Sequence, residues 1–354
     1  MAPLQCAAVA ASRRAIFVLL LGGVIAAQAI AHGDASSPEA RTPDAAAARR
    51  PSPTLVVVVP IVDVRAHPTV SGPADIHDPD QETQLLYGEH VRVLEQRNGW
   101  ARIEAPEQPE FSHHHYWEGY PGWVPLAALQ AETDTRPPTL VVTVTWAAIN
   151  AAPRPNAPVL VTVAMGTWLD GGDLHEDWWC IYLPDGRAGW IHRDEASPLA
   201  AIASAPPMQQ RRQVLTSAQR LLDTPYRWGG RSPERAESAV PPAGVDCSGL
   251  VQLAYRTIGR SIPRDAHEQA LRSRRLQRDQ LQPGDLVFLS AAQEPQQIVH
   301  VLLYAGDGRL IEGPGTGSRV RQIAWVERFG QPFSRTEARQ TINGQTISFG
   351  AYLP

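Results

Sequence analysis

The hydrophobic period of this chain of 354 residues changes once, near Pro206, and that change limits what it can fold into. Before it, apolar residues come in short β-rich runs separated by turn residues: 55–59, 85–86, 90–94, 100–103 and 122–124. Past the Arg136-Pro137-Pro138 break a second set follows at 140–144, 160–163, 178–183 and 189–191. The two cycles end alike, in Gly122-Trp123-Val124 and Gly189-Trp190-Ile191. They predict two small all-β barrels, 54–130 and 137–197, related by internal duplication. After Pro206 the period becomes helical. Residues 208–222 fit one helix, and a second carries Cys247, Leu250, Val251, Ala254, Tyr255 and Ile258 on one face. Asp246 stands where its N-cap belongs and Gly259 where it should stop. Strands are expected at 286–289, 298–305 and 309–312, so residues 207–354 should form an α+β domain.

Arg13 and Arg14 precede an uncharged apolar run, 15–31, that ends in Ala29-Ile30-Ala31, small residues at the positions a signal peptidase reads. Residues 1–31 are therefore expected to be a signal peptide, by the secretory or the twin-arginine route. With no lipid-anchor cysteine and no span left after processing, the protein should reach the periplasm or cell envelope. Residues 32–53, rich in Ala, Pro, Ser and Arg, are expected to be a disordered linker. Lysine is absent, so all 32 basic residues are arginine, which excludes Schiff-base and phosphate-loop lysine chemistry. A net charge of −4 lacks the positive field that non-specific nucleic-acid binding needs. Once Cys6 leaves with the signal, Cys180 and Cys247 remain; Cys180 alternates like a core strand position, and pairing the two would consume the candidate nucleophile.

Cys247 lies in the first turn of its helix, where unpaired N–H groups and the helix dipole favour a thiolate. A nucleophilic sulfur needs a base, and His300 opens an apolar strand that otherwise has no reason to hold an imidazole. Glu312 follows twelve residues later across Gly306-Asp307-Gly308. A two-residue turn there would set Glu312 opposite Leu303, facing away from His300. A three-residue loop would set it opposite Leu302, on His300's face, where a carboxylate could orient the ring. His113, His114 and His115 are read as a polar loop tip rather than a metal site, since neighbours on a strand point to opposite faces.

Several motifs occur together in the last third: Thr224-Pro225-Tyr226-Arg227-Trp228-Gly229-Gly230, Asp246-Cys247-Ser248-Gly249-Leu250-Val251, Ile262-Pro263-Arg264-Asp265 with Gln269, residues 281–288, and His300-Val301 through Tyr304 to Gly306. In these, residues 207–325 resemble the NlpC family of cell-wall cysteine peptidases, and the two β-rich segments resemble bacterial Src-homology-3-like domains. The resemblance implies a papain-like fold with Cys247 as nucleophile, His300 as base and Glu312 in the third polar place, which is often His in the family. It implies that Tyr226 helps the oxyanion site with the Cys247 N–H. It further implies that the first barrel walls the cleft, with Glu82 and Asp246 pairing with the free amine of a muropeptide, Tyr120 (or Tyr116) shaping the wall and Ser248 lining it. The insertion 231–245 departs from shorter family versions at the cleft mouth. The expected activity is a γ-D-glutamyl-L-diamino acid endopeptidase acting on peptidoglycan stem peptides or muropeptides with free N-terminal L-Ala, as a monomer, with no metal or cofactor. A catalytically silent wall-binding protein and a papain-like amidase or acyltransferase remain the alternatives.

Overall fold

The computed structural model describes residues 53–70, 77–132, 136–235 and 242–354. The expected signal peptide and the linker up to residue 52 lie outside the described residues. Strands β1 (Thr54–Val57), β2 (Ile61–Arg65), β3 (Gln81–Leu86), β4 (His90–Arg97), β5 (Trp100–Glu110), β6 (Glu118–Pro125) and β7 (Leu129–Gln130) form one sheet in the order β3-β2-β6-β5-β4-β1-β7. Strands β8 (Leu140–Val142), β9 (Trp146–Asn150), β10 (Val159–Ala164), β11 (Trp168–His175), β12 (Trp178–Tyr182), β13 (Ala188–His192) and β14 (Ala196–Pro198) form a second, in the order β10-β9-β13-β12-β11-β8-β14. Adding seven to each label of the first order gives the second. The duplication read from the two Gly-Trp pairs thus extends to the whole topology, with Trp123 on β6 and Trp190 on the equivalent β13. Cys180 is fully buried on β12, whereas Cys247 carries a free thiol, so the two do not pair.

Of the strands that escape the sequence pattern, β2, β9 and β11 do so for identifiable reasons. In β2 the apolar run is broken by Asp63 and Arg65, yet both are buried in ion pairs and hydrogen bonds. β9 is alanine-rich. β11 contains Gly171, whose absent side chain lets the Cys180 carbonyl approach: a Cβ there would meet that oxygen at 2.3 Å.

A short helix α1 (Leu199–Ala203) and helix α2 (Pro207–Arg220) lead into the third region. A two-stranded ribbon, β15 (Arg231–Ser232) with β16 (Gly244–Val245), closes the base of the insertion before α3 (Cys247–Arg256), and α4 (Ala266–Arg272) follows. Strands β17 (Arg274–Leu276), β18 (Leu286–Ala291), β19 (Glu294–Gly306), β20 (Arg309–Glu312), β21 (Arg321–Ala324), β22 (Thr341–Ile342) and β23 (Gln345–Ala351) build an antiparallel sheet ordered β17-β23-β18-β19-β20-β21, with β22 on β23 and α5 (Trp325–Phe329) beneath. Strand alternation gives the sheet two apolar faces. Phe288, Val301, Leu303 and Ile311 pack on Leu250, Val251 and Ala254 of α3. Val287, Leu302 and Tyr304 pack with Trp325, Phe329 and Phe349 on the other side. Among the described residues no helix is long and apolar enough to cross a membrane.

All ten residues of α3 are buried, because its polar side meets the β-units instead of water. Arg231 pairs with Glu89 at 2.6 Å, and Arg256 with Glu107 at 2.6 Å and Glu89 at 3.4 Å. The second unit reaches the far end of the same helix: Gly166 accepts from Arg256 Nε at 2.7 Å, and the guanidinium lies 4.0 Å over the Trp168 ring. That unit therefore supports the helix end opposite Cys247. The first unit differs from its duplicate in the length of the β5–β6 hairpin, 11 and 8 residues against 5 and 5 in β12–β13. The extra length carries the first unit over α4, where Pro109 accepts from the Arg264 N–H at 3.1 Å, Ser112 bonds Glu268 and Trp117 stacks under Arg272 at 3.5 Å.

Candidate active site

Asp246 caps α3 as expected, accepting from the Gly249 N–H at 2.6 Å, and sets Cys247 at the first helical position. The Cys247 N–H falls among the donors that a helix start leaves without an intrahelical partner. The residue is buried, with 8% of its surface exposed. Across from it, His300 Nε2 lies 3.1 Å from Glu312 Oε2, leaving Nδ1 for the sulfur. Burial pulls the His300 imidazolium down, but the Cys247 sulfur and Glu312, as hydrogen-bond and charge partners, more than offset it and raise His300 to about 9.

Glu312 shares the face of His300, though not by the route the turn suggested. Asp307 (φ 49°) and Gly308 (φ 65°) form a two-residue turn with Gly306 opposite Arg309. A bulge at Ala305 then restores the register, since Tyr304 pairs with Leu310 and Leu303 with Ile311, which puts Leu302 opposite Glu312. A second bulge at Val299, where the partner of β18 shifts from His300 to Ile298, lies just before the histidine. Bulges re-aim side chains, and this pair brackets the stretch that carries the imidazole.

Glu312 is fully buried, and burial alone would raise its pKa. Hydrogen bonds from His300 and Arg321 and the charges of Arg328 and His300 reverse that and hold it at about 2. Arg321 approaches Oε1 at 2.7 Å and Arg328 approaches Oε2 at 3.1 Å. Nothing in the sequence pattern singled out these two arginines, which lie on β21 and α5. Tyr226 is half-buried; burial and the charges of Asp246 and Cys247 push its hydroxyl up, so it stays a neutral donor beside the nucleophile.

The cleft wall differs in detail from the expectation. Asp246 is committed to the protein: Arg264 grips both of its oxygens at 3.1 and 2.7 Å, and the Gly229 N–H and Ser248 hydroxyl also donate to it. Ser248 in turn accepts from Arg264 at 2.9 Å. Asp265, which the sequence reading held only as part of a motif, shares the Tyr120 hydroxyl with Glu82. The Tyr120 hydroxyl lies 3.0 Å from Asp265 Oδ2 and 3.4 Å from Glu82 Oε2. The Asp265 side chain keeps 41% of its surface open, yet the surrounding protein desolvates it enough, with Glu268 and Asp246 adding to the effect against Arg264, to push it up to about 7. Tyr116 stands 57% exposed on the hairpin tip and takes no part in this wall. His113 Nε2 approaches Glu82 at 3.7 Å from the turn that joins β5 to β6. The three-histidine run lies in that turn, not on a strand, so its side chains diverge for another reason than strand alternation.

A sulfur at a helix tip, an imidazole on the facing sheet and a buried carboxylate behind it make this region a cysteine peptidase domain. Residues 223–338 match the NlpC/P60 family and residues 76–108 the bacterial dipeptidyl-peptidase Sh3 domain. The chain therefore carries an NlpC/P60 domain behind a bacterial Sh3 domain. A gamma-D-glutamyl-L-lysine dipeptidyl-peptidase of Bacillus cereus is 29% identical over 248 residues, 68% of this chain and 70% of that protein. The Bacillus subtilis protein of the same name is 26% identical, over 70% of this chain and 76% of its own length. A murein DD-endopeptidase of Escherichia coli is 34% identical over 158 residues, 43% of this chain and 51% of that protein. A solved structure of an NlpC/P60 family protein from Bacillus cereus shares the fold, with a TM-score of 0.68 over 85% of this chain and 100% of that one at 22% identity.

Proposed function

We propose that the protein is an exported peptidoglycan endopeptidase that cuts the γ-D-glutamyl-L-diamino acid bond of stem peptides with a free N-terminal L-Ala. The observation that carries this is the meeting of Glu82, Tyr120 and Asp265 at one end of the Cys247 cleft, where two carboxylates from different domains can hold an ammonium. The peptidase relatives named above support the substrate class. Asp246 takes part through Arg264, which it holds beside Asp265, with Ser248 completing that contact.

In the reaction, the Cys247 sulfur attacks the γ-D-glutamyl carbonyl carbon and its proton passes to His300. The Cys247 N–H and the Tyr226 hydroxyl face the oxyanion. The C–N bond then breaks, and the departing amine takes the proton from His300. Water adds to the thioester, giving its proton to His300, and the acid leaves as the sulfur regains a proton. Glu312 orients the ring and stabilises its charged form throughout. Incubation with L-Ala-γ-D-Glu-diaminopimelate should release L-Ala-γ-D-Glu, and Cys247→Ala should abolish release while retaining binding. Acetylating the substrate amine should raise KM sharply in wild type and little in Glu82→Ala; equal effects in both would remove Glu82 from the site.

A further inference from the structure

We propose that the tip of the β5–β6 hairpin is a binding site for a divalent transition-metal cation of the Zn²⁺ type, with Glu110, His114 and Glu118 as ligands. Glu110 and Glu118 oppose each other at the last register pair of the hairpin. His114 lies four residues from each, in the turn between them. One ligand atom from each of the three comes within 4.8 Å of the others, and among the described residues this is the group of three His, Cys, Asp or Glu side chains that converges in this way.

Two features ask for a cation there. Both carboxylates are withdrawn from water, Glu110 at 1% and the Glu118 side chain at 7% exposure, and the repulsion between them is offset only by the imidazoles of His113 on Glu110 and His114 on Glu118. Glu110 Oε2 accepts from the His113 N–H at 3.1 Å and stands 2.9 Å from His113 Nδ1, but its buried Oε1 has no N–H donor and finds an O–H only when Glu118 carries a proton. A buried acceptor without a donor is costly, and a bound cation would remove that cost. Two carboxylate oxygens and one imidazole nitrogen suit Zn²⁺, Co²⁺ or Mn²⁺ better than Ca²⁺ or Mg²⁺. Tetrahedral bonds of that type set ligand atoms roughly 3.3 Å apart, within reach of small side-chain rotations, with water as a fourth ligand. His114 now hydrogen-bonds Glu118, and that contact would open to admit the ion. The same hairpin carries Tyr120 and rests, through Pro109, on Arg264 and, through Ser112, on Glu268 of α4, so an ion at its tip would stiffen this part of the first unit against the peptidase region.

The test is a Co²⁺ titration of the protein carrying Cys247→Ala, so that the thiol binds nothing, followed by visible absorption and Zn²⁺ competition. The expected result is one saturable equivalent with the bands of a four-coordinate N/O site, displaced by Zn²⁺. It should be lost in His114→Ala and Glu118→Gln and kept in His115→Ala. His114 is half-exposed, so unchanged melting of His114→Ala without metal will show that its fold is intact. No saturable uptake, as a proton shared by the two carboxylates would give, or equal uptake with and without His114, overturns the proposal. None of these readouts depends on peptidase activity.

Discussion

Glu312 sits among three cationic or protonatable partners, His300, Arg321 and Arg328, and that environment explains a carboxylate where the family often has His. An imidazole between two guanidinium groups would be held neutral or expelled. Glu312→His should therefore lose more activity than Arg321→Ala, and adding Arg321→Ala and Arg328→Ala to Glu312→His should recover part of it in kcat. Glu312→Gln keeps the shape but removes the charge, and kcat should fall on the order of 100-fold. Two limbs should bound the pH profile of kcat/KM. It rises through about 7 as Asp265 ionises and can hold an ammonium, and falls through about 9 as the His300–Cys247 pair loses its proton. Asp265→Asn should remove the acid limb and Glu312→Gln should move the alkaline limb down; a profile unchanged in both would contradict the assignment. Stability follows the same groups. His300, raised above 6.5, contributes stability that is complete below that pH and lost as pH climbs through about 9. Glu312, lowered from 4.5, contributes stability present above that pH and lost as pH falls through about 2.

At the scale of elements, the β19–β20 hairpin decides whether the carboxylate meets the imidazole. The tight Asp307-Gly308 turn alone would aim Glu312 away, and the single extra residue Ala305 turns it back. Because Ala305 is the unpaired residue, deleting it should leave Glu312 opposite Leu302 with turnover near wild type, whereas also inserting one residue between Leu310 and Ile311 should turn Glu312 away and bring activity close to that of Glu312→Ala, measurable by turnover beside an unchanged far-UV spectrum. Sequence parity could state both registers but not choose, because a bulge leaves the residue types of a strand unaltered. The helix α3 was legible from its apolar spacing and its cap. The hairpin β5–β6 was legible only in part: its extension past Ile103 to Glu110 shows no apolar alternation, since Glu107 and Pro109 meet Arg256 and Arg264 of the catalytic domain while Gln108 bonds Thr83, Gln84 and Glu89 of its own unit.

Across the whole molecule, the two β-units and the peptidase region are joined through buried arginines. Glu89 stands between Arg231 and Arg256, each at most 1% exposed. Glu89→Ala would leave both cations without their shared partner, and unfolding in denaturant should show a loss of about 3–5 kcal/mol in one transition. Expressing residues 199–354 alone should expose the same arginines and the polar side of α3, and yield a protein without cooperative melting. The sequence by itself determined the two β cycles, the helix that presents Cys247 and the apolar stretch of the strand that carries His300, because short-range periodicity and capping are written in neighbouring residues. Only the tertiary structure decided that Glu82 and Asp265 share the Tyr120 hydroxyl, and that Arg321 and Arg328 hold Glu312. Those contacts join residues between 9 and 145 positions apart, and the partner of a charge at such separations is set by packing rather than by neighbouring sequence.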